Sequence, residues 1–280
     1  MTPLGFVLAC FLLSTAAGTL GSLLGLGGGI VVIPALTLLL KIDIRYAIGA
    51  SIVSVIATSS GAAVAYVKER LTNLRVAMVL EIGTTLGALT GSYLAGRISG
   101  RWLHIIFGLM MGYSALMMFR KRRGSSEDDR AAPWADFLRL HSSYYDEALD
   151  REVAYKVVRT RVGLGLMYIA GTVSGLLGIG SGALKVPAMD LAMRLPIKVS
   201  AATSNFMIGV TAAASAGLYL SRGYIDPGLA MPVMLGVLAG SLTGAKLLVK
   251  AKTKSLRLVF SLVIVALGIE MIINGIRGTL

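Results

Sequence analysis

Two glycine-rich stretches decide the fold of this chain: LLGLGGGIVVIPAL at residues 23–36 and LLGIGSGALKVPAM at residues 176–189. When Gly18 is aligned with Gly171, an offset of 153 residues, 9 of the 18 positions from Gly18 to Ala35 are identical. Chance would give roughly a tenth at ordinary composition. The same offset pairs further residues of the two halves: Ser51 with Ser204, Tyr66 with Tyr219, Gly83 with Gly236, and Phe107 with Phe260. The chain is therefore a doubled unit.

The composition is that of a membrane protein. Of the 280 residues, 55% are hydrophobic and only 15% are charged, whereas soluble domains carry about a quarter charged residues. Runs with almost no charge, such as 4–40, 46–67 and 258–276, are long enough to cross a bilayer. We therefore predict an all-α integral membrane protein whose partner is the lipid bilayer.

The formal net charge of +13 does not indicate a nucleic-acid partner, because the basic residues lie at the ends of apolar runs and in one central linker. Membrane proteins use such residues to fix their orientation. Cys10 is the single cysteine, and His104 and His141 are the only histidines. This supply is too small for a disulfide within the chain or a histidine-based metal site. We expect no cofactor and no resident metal.

The doubling and the hydropathy together predict the domain organisation. Repeat 1 covers residues 1–119, a polar linker covers 120–161, and repeat 2 covers 162–280. Each repeat has five apolar segments, of which the second, at 30–41 and 183–193, is short. Twelve helical residues span about 18 Å, against about 30 Å of hydrocarbon. Each repeat is therefore predicted to be a re-entrant helical hairpin with a glycine-rich tip, followed by three transmembrane helices.

Charge also predicts the orientation. The linker begins with RKRR at 120–123, and basic loops face the cytoplasm. Counting spans from a cytoplasmic linker puts both termini outside and makes the two repeats inverted relative to each other. Within the linker, EVAYKVV at 152–158 alternates in polarity, which favours a small hairpin or a short amphipathic helix.

Inverted hairpins would bring both glycine tips to the middle of the bilayer. Helix N-termini carry unpaired N–H groups and partial positive charge, and glycine lets a ligand approach the backbone. We predict an anion site at the tips, formed by Gly27, Gly28, Gly29, Gly180, Ser181 and Gly182. A dinucleotide-binding turn is disfavoured because no strand precedes the motif. Close helix packing explains the four-residue spacing of Gly83, Gly87 and Gly91 better than it explains three glycines in succession.

The second copy differs from the first where Lys185 replaces Val32. A lysine at mid-bilayer costs about 2.5–3.5 kcal/mol, so such residues mark ion pathways. We predict that Lys185 faces the anion; the alternatives are snorkelling and pairing with Asp190. Further candidates lie in the third segments: Ser51, Thr203, Ser204 and Asn205, although hydroxyls there can also bond to their own helix. Glu81, alone in the fourth segment, is either a coupling group or shielded near the cytoplasmic loop.

The paired motifs GLGGGIVVIPAL and GLLGIGSGALKVPAM, followed by ATSNFMIG, resemble the TauE/SafE sulfite exporter family of membrane transporters. The resemblance covers both repeats. It implies transport of sulfur-containing anions, such as sulfite or organosulfonates, across the cytoplasmic membrane. The family's motif maps onto Gly25, Gly27, Gly28, Gly29 and Pro34, and onto Gly178, Gly180, Gly182 and Pro187. The second copy departs from the first at Ser181, which stands where the first has Gly28.

We therefore expect a secondary transporter of a small sulfur-containing anion in the cell membrane, working by alternating access, with H+ or Na+ as coupling ion. A homodimer is compatible with the sequence. An anion channel with the same site is the first alternative. A metal or cation transporter is the second, although it should carry a cluster of intramembrane carboxylates and only Glu81 qualifies. An enzyme is disfavoured because no His, Cys and Asp constellation is apparent.

Overall fold

The computed structural model describes residues 3–24, 29–68, 71–119, 133–146, 150–180, 182–250 and 253–277. The chain is mostly helical, which confirms the predicted fold class at that level. The elements of the first half are α1 Pro3–Leu24, α2 Gly29–Pro34, α3 Ile44–Lys68, α4 Leu74–Ala95 and α5 Gly100–Phe119. The linker contains α6 Pro133–Phe137, β1 Ser142–Asp146 and β2 Arg151–Tyr155. The second half contains α7 Thr160–Leu177, α8 Gly182–Pro187, α9 Ile197–Ser221, α10 Pro227–Lys250 and α11 Thr253–Arg277.

The short second segments are present in both halves. Helices α2 and α8 each have six residues, begin at the last glycine of a motif and end at a proline. Each continues into a five-residue π-helical turn, Ala35–Leu39 or Ala188–Ala192. Proline has no N–H group and its ring crowds the carbonyl four residues earlier, so a widened turn at this point relieves the clash.

The two halves pack by exchanging equivalent helices. The most extensive contacts join α1 to α10 and α4 to α7, and α7 and α10 are the counterparts of α1 and α4. The backbones nearly touch at these crossings: a Cβ atom added to Gly91 would lie 1.9 Å from the carbonyl oxygen of Thr172, and one added to Gly240 would lie 2.1 Å from that of Thr15. The interpretation of the spaced glycines as helix-packing positions is therefore confirmed.

Both described ends of the chain lie at one end of the helical bundle. Phe6, Ile42 and Asp226 line one cavity there. The guanidinium of Arg101 donates a hydrogen bond of 2.9 Å to the carbonyl oxygen of Ile276. We call this the terminal end. Helix α1 begins at the terminal end, and the chain returns to it after the first π-helical turn.

The linker lies at the opposite end of the bundle. The Asn73 Nδ2 atom, just before α4, donates a 3.0 Å hydrogen bond to the carbonyl oxygen of Leu140 in the linker. The N–H group of Val158, just before α7, donates to the carbonyl oxygen of Met193 at 3.2 Å. Helix α7 therefore begins at this linker end, and the chain returns to it after the second π-helical turn.

Of the two structures expected for 152–158, a hairpin or a short amphipathic helix, the hairpin is present, with its second strand at Arg151–Tyr155. Strands β1 and β2 pair antiparallel, with Ser142 opposite Tyr155 and Tyr144 opposite Val153. Linker side chains also join a buried cluster with residues of the helices; its members include Ala135, Leu140, Tyr144, Val157, Leu80, Met167, Met193 and Met207. The linker is thus packed onto the bundle. The division of the chain at 119/120 and 161/162 stays a prediction.

Judged by length and composition, two helices of the described chain could cross a membrane, α4 and α7. Shorter apolar stretches with described side chains cover Leu4–Thr19, Gly29–Leu39, Ile44–Ser60 and Pro227–Thr243. Helix α4 also carries an exposed apolar stripe, Met78, Ile82 and Leu86, with exposed fractions of 67%, 62% and 55%. A surface in contact with water rarely carries such a stripe, whereas a surface in contact with lipid does.

Candidate functional site

The two glycine motifs meet inside the protein. A Cβ atom added to Gly29 would lie 3.3 Å from the carbonyl oxygen of Gly178 and 3.3 Å from the Cα atom of Ile179. The Ser51 hydroxyl stabilises this contact between the two motifs, because it donates a 2.8 Å hydrogen bond to the same Gly178 oxygen. Gly178 and Gly180 have φ angles of +65° and +72°, a region that glycine adopts without strain. The second motif is therefore a tight turn that holds the start of α2.

A buried polar face runs along α9 beside this junction. Ser200, Ser204, Thr211 and Ser215 are all buried, and their spacing of four, seven and four residues places them on one side of a helix. The Ser204 hydroxyl is buried and has no hydrogen-bond partner among the described residues. An unpartnered buried polar atom is rare in proteins and needs an explanation. Ser204 is therefore a donor available to a bound molecule.

Lys185 reaches the same face of α9 from α8. Its side chain is 0% exposed, and its ammonium donates a 2.7 Å hydrogen bond to the Thr211 hydroxyl oxygen. The Thr211 hydroxyl lies 2.7 Å from the Glu81 Oε1 atom of α4. Thr85 donates to the same Oε1 atom at 3.1 Å. The charges of Lys185 and Glu81 thus face each other across one hydroxyl group.

Only one of the two carboxylate oxygens of Glu81 accepts hydrogen bonds from the described residues. Its Oε1 atom accepts hydrogen bonds from two threonines, whereas its Oε2 atom is buried and has no hydrogen-bond partner in the part of the chain that the structure describes. A carboxylate oxygen offers about two lone pairs. The Oε2 atom therefore remains open to a proton or to a donor from a bound molecule.

The charged arrangement of Lys185, Thr211 and Glu81 has no charged equivalent at the corresponding positions of the two repeats. The offset of 153 residues gives each of its three residues a counterpart in the other half. The counterparts of Lys185, Thr211 and Glu81 are Val32, Thr58 and Met234, respectively. The Thr58 hydroxyl bonds to its own helix, at the carbonyl oxygen of Ser54, 3.0 Å away. At the counterpart positions both charges are absent, since Val32 and Met234 are apolar. The ammonium of Lys185 and the carboxylate of Glu81 therefore occur as a pair.

The residues predicted as the site have different surroundings. Gly182 begins α8 and Asn205 is half-buried on α9. The Thr203 oxygen accepts a 3.1 Å hydrogen bond from the backbone N–H group of Asn73. Gly27, Gly28 and Ser181 lie outside the described residues.

The sequence did not indicate Thr211, which joins Lys185 to Glu81. A threonine in an apolar helix usually bonds to its own backbone, and Thr211 also does so, with 2.7 Å between its hydroxyl and the carbonyl oxygen of Met207. The available signal was its position seven residues after Ser204, on the same helix face. Over the described ranges, no group of three or more His, Cys, Asp or Glu side chains could hold a metal ion.

Comparison with known proteins identifies the family. The Sulfite exporter TauE/SafE family matches residues 10–271. The chain is 28% identical over 271 residues to the Probable membrane transporter protein YunE of Bacillus subtilis (strain 168), covering 94% of this chain and 96% of that protein. It is 28% identical over 253 residues to a Probable membrane transporter protein of Xylella fastidiosa (strain 9a5c), covering 89% and 88%.

A shorter match, 30% identical over 140 residues, is to the Sulfite exporter TauE/SafE family protein 1 of Arabidopsis thaliana, covering 50% of this chain and 30% of that protein. No solved structure matches this chain significantly. The family match spans nearly the whole chain, and the relatives bear the names of transporters, not of enzymes. The chain therefore belongs to the sulfite exporter TauE/SafE family of membrane transporters.

Proposed function

We propose that this protein is a secondary transporter that moves a small sulfur-containing anion, such as sulfite or a sulfonate, across the cell membrane. The observation that carries the proposal is the fully buried ammonium of Lys185, one helical turn after a glycine motif. A lysine in the apolar interior of a membrane protein is costly and typically serves an ion pathway. The family name supports a sulfur oxyanion as the cargo.

The proposed binding site lies between the two glycine motifs and the polar face of α9. The anion contacts the ammonium of Lys185, and the unpartnered hydroxyl of Ser204 donates to one of its oxygens. Hydrogen bonds to a charged group are stronger than neutral ones. The remaining donors are side chains and backbone N–H groups: Thr203, Asn205, Gly27, Gly28, Gly29, Gly180, Ser181 and Gly182. Ser51 holds the second glycine motif in place instead, because its hydroxyl hydrogen is already donated to the Gly178 carbonyl oxygen.

The proposed transport cycle is alternating access by two inverted repeats, each with a re-entrant hairpin. Two features support it. The most extensive helix contacts are α1 with α10 and α4 with α7. Because α7 and α10 are the repeat counterparts of α1 and α4, the two contacts join equivalent helices of the two halves. Each glycine motif also lies between helices that start and finish at the same end of the bundle. Many transporters built from inverted repeats bind their substrate at the repeat interface and expose it to either side by rocking.

The proposed orientation is a cytoplasmic linker with both termini outside, in a multi-pass protein of the cell membrane. The basic residues of the linker support this orientation. The location of the linker and the terminal end at opposite ends of the bundle is compatible with it. The coupling ion is H+ or Na+.

The test is transport in liposomes that contain the purified protein. We expect uptake of radiolabelled sulfite to saturate and to be accelerated by unlabelled sulfite inside the vesicles, since counterflow requires a carrier. Flux that neither saturates nor shows counterflow would indicate a channel. Absence of uptake for sulfite, taurine and sulfoacetate alike would contradict the proposal. Lys185→Met should weaken this uptake. Lys41→Met, which changes an exposed lysine at the terminal end, is the control and should leave uptake unchanged.

A further inference from the structure

We infer that Thr211 is a positioning residue that makes anion binding at Lys185 and proton binding at Glu81 a single coupled event. The inference deepens the proposed function and rests on it for the identity of the anion. It assigns H+ as the coupling ion and gives the hydroxyl of Thr211 the task of connecting the two sites.

The hydroxyl of Thr211 has three partners and one hydrogen atom. It lies 2.7 Å from the Lys185 ammonium, 2.7 Å from the Glu81 Oε1 atom and 2.7 Å from the Met207 carbonyl oxygen. The ammonium only donates, so the hydroxyl oxygen accepts from Lys185. Its own hydrogen then points either to Glu81 or to Met207. The hydroxyl is therefore a donor with two positions, and the charge on Glu81 decides between them.

Charge balance connects the two sites. Without an anion, the ammonium of Lys185 is balanced by the ionised carboxylate of Glu81. An anion that binds to Lys185 adds a second negative charge, and an unbalanced charge in the interior is costly. One proton bound by Glu81 restores neutrality. The proton comes from the water on the side where the anion enters, and it binds at the unpartnered Oε2 atom, because Oε1 already accepts two hydrogen bonds.

Once Glu81 is neutral, its attraction for the Thr211 hydrogen falls, and that hydrogen turns to the Met207 carbonyl oxygen. Release of the anion reverses both steps: the proton leaves Oε2 for water, and the hydroxyl returns to the carboxylate. Anion and proton therefore travel together in the same direction.

The helices that surround this site carry few other charged side chains among the described residues. Glu81 is on α4, which packs against α7 and α9, and α9 packs against α8. The remaining charged side chains of these four helices are exposed and stand in the first turn of their helices: Arg75, Arg161 and Lys198. Asp190 is half-buried in the π-helical turn after α8. Their ionisable tyrosines are Tyr93, Tyr168 and Tyr219. Lys185 is the buried cation that faces Glu81 across the Thr211 hydroxyl.

The first test needs no substrate. The infrared absorption of a protonated carboxyl, taken as the difference between the wild-type protein and Glu81→Gln, reports the protonation of Glu81 as the pH is varied. In Thr211→Val the carboxylate loses a donor and its connection to the ammonium, so we expect its half-protonation point to move to higher pH. Thr211→Ser restores the hydroxyl and should restore the wild-type value.

Thr58→Val is the matched control, because Thr58 is the repeat counterpart of Thr211 and bonds only to its own helix among the described contacts. We expect it to leave the half-protonation point unchanged. An unshifted point in folded Thr211→Val would overturn the inference.

The second test measures coupling in proteoliposomes, with methanesulfonate as the probe because its charge is fixed near neutral pH. We expect about one proton to enter with each anion in the wild-type protein, as charge balance requires, and the ratio to fall in Glu81→Gln and in Thr211→Val. A wild-type protein that takes up the anion without protons would overturn the inference even if Thr211→Val does not fold. If no sulfur-containing anion is transported at all, the proposed function fails, while the infrared titration still decides the role of Thr211.

Discussion

The ammonium of Lys185 and the carboxylate of Glu81 hold the same hydroxyl between them, 2.7 Å from each, although they belong to different halves of the chain. In the sequence, Lys185 stands out only as a substitution for Val32. In the structure it is one side of an interaction across the two repeats. The lysine of the second motif therefore has its charged partner in the first half, at Glu81.

Replacing the lysine should weaken anion binding. Lys185→Met keeps the length of the side chain and removes its charge, so ligand affinity should fall by about 1.5–3 kcal/mol, the range for a hydrogen bond to a charged group. This corresponds to a loss of roughly ten- to a hundredfold. Lys185→Arg should also weaken binding, because a planar guanidinium does not fit the site of a compact ammonium. Calorimetric titration with sulfite measures the loss, and unchanged affinity in a folded variant would make the lysine structural.

The Lys185 and Glu81 charges should be coupled in stability. Removing one partner of a buried ion pair costs about 3–5 kcal/mol, because the other charge is left uncompensated. We expect Lys185→Met and Glu81→Gln each to lower the unfolding temperature in detergent, by less than this full cost because Glu81 is only partly buried. The double variant should recover most of the loss. The double variant also permits the binding measurement in a charge-balanced protein. Additive losses would show that the two side chains do not interact.

The helix crossings should not tolerate side chains at the contacting glycines. In Gly91→Val the new Cβ atom would lie 1.9 Å from the Thr172 carbonyl oxygen, so α4 and α7 would have to separate. Gly112→Ala in α5 is the control, because no atom lies within 4 Å of a Cβ atom added there. It should stabilise the helix by about 0.5–1 kcal/mol. The unfolding temperatures of Gly91→Val and Gly112→Ala in detergent distinguish the two cases. Equal unfolding temperatures would contradict the described packing of α4 against α7.

Cysteine labelling tests the orientation in the membrane. In a Cys10→Ala background, a cysteine at Arg151 of the exposed hairpin should react only from the cytoplasmic side. A cysteine at Ser99, in the exposed loop between α4 and α5, should react from outside. Membrane-impermeant maleimide applied to intact cells and to inverted vesicles gives the answer. Labelling of the Arg151 position from outside would refute the proposed topology.

Asn73 should control how firmly the linker is held. Its side chain donates to Leu140 at 3.0 Å and to the Tyr155 hydroxyl at 2.9 Å, and it caps α4 by accepting from Val76 at 3.1 Å. Loss of a helix N-cap alone costs about 0.5–2 kcal/mol. Asn73→Ala should therefore speed hydrogen exchange at Val157 and Val158, whereas Tyr155→Phe, which removes one bond, should do so less. Exchange at the wild-type rate in Asn73→Ala would exclude this role.

The same contact should weaken at alkaline pH. Burial raises the pKa of Tyr155 above its ordinary value of 10.0, and the hydrogen bond from Asn73 opposes this rise only in part. The neutral phenol is thus the form that suits the folded protein. Its contribution is fully present below pH 10 and is lost as the pH rises through the raised pKa. Tyr155→Phe should abolish this part of the pH dependence.

The sequence predicted the helices closely because apolar runs bounded by charges, glycines and prolines leave little freedom for their ends. The short segments predicted at 30–41 and 183–193 correspond to the helices Gly29–Pro34 and Gly182–Pro187 with the π-helical turns that follow them. The contact between the glycine motifs also follows the expectation from the doubling. Such patterns are local or repeated, so a single chain is enough to reveal them.

The connections between distant side chains could not be predicted in this way. Ser51 was a candidate anion donor, yet its hydroxyl bonds to the Gly178 carbonyl oxygen. The connecting roles of Thr211 and Asn73 could not be predicted either, because the side chains and carbonyl groups that they join come from other parts of the chain. Hydrogen bonds of this kind depend on how helices rotate against one another, which hydropathy does not encode.

The apolar counterpart of the charged unit has a thermodynamic consequence. Were the two repeats identical, exchanging their conformations would turn the inward-open state into the outward-open state, and the two would have equal free energy. Lys185 and Glu81 face Val32 and Met234 across this symmetry, so the exchange does not preserve the polar contacts. In the proposed alternating-access cycle the two states therefore differ in free energy, so the proposed inverted repeats acquire a preferred side without any change in their architecture.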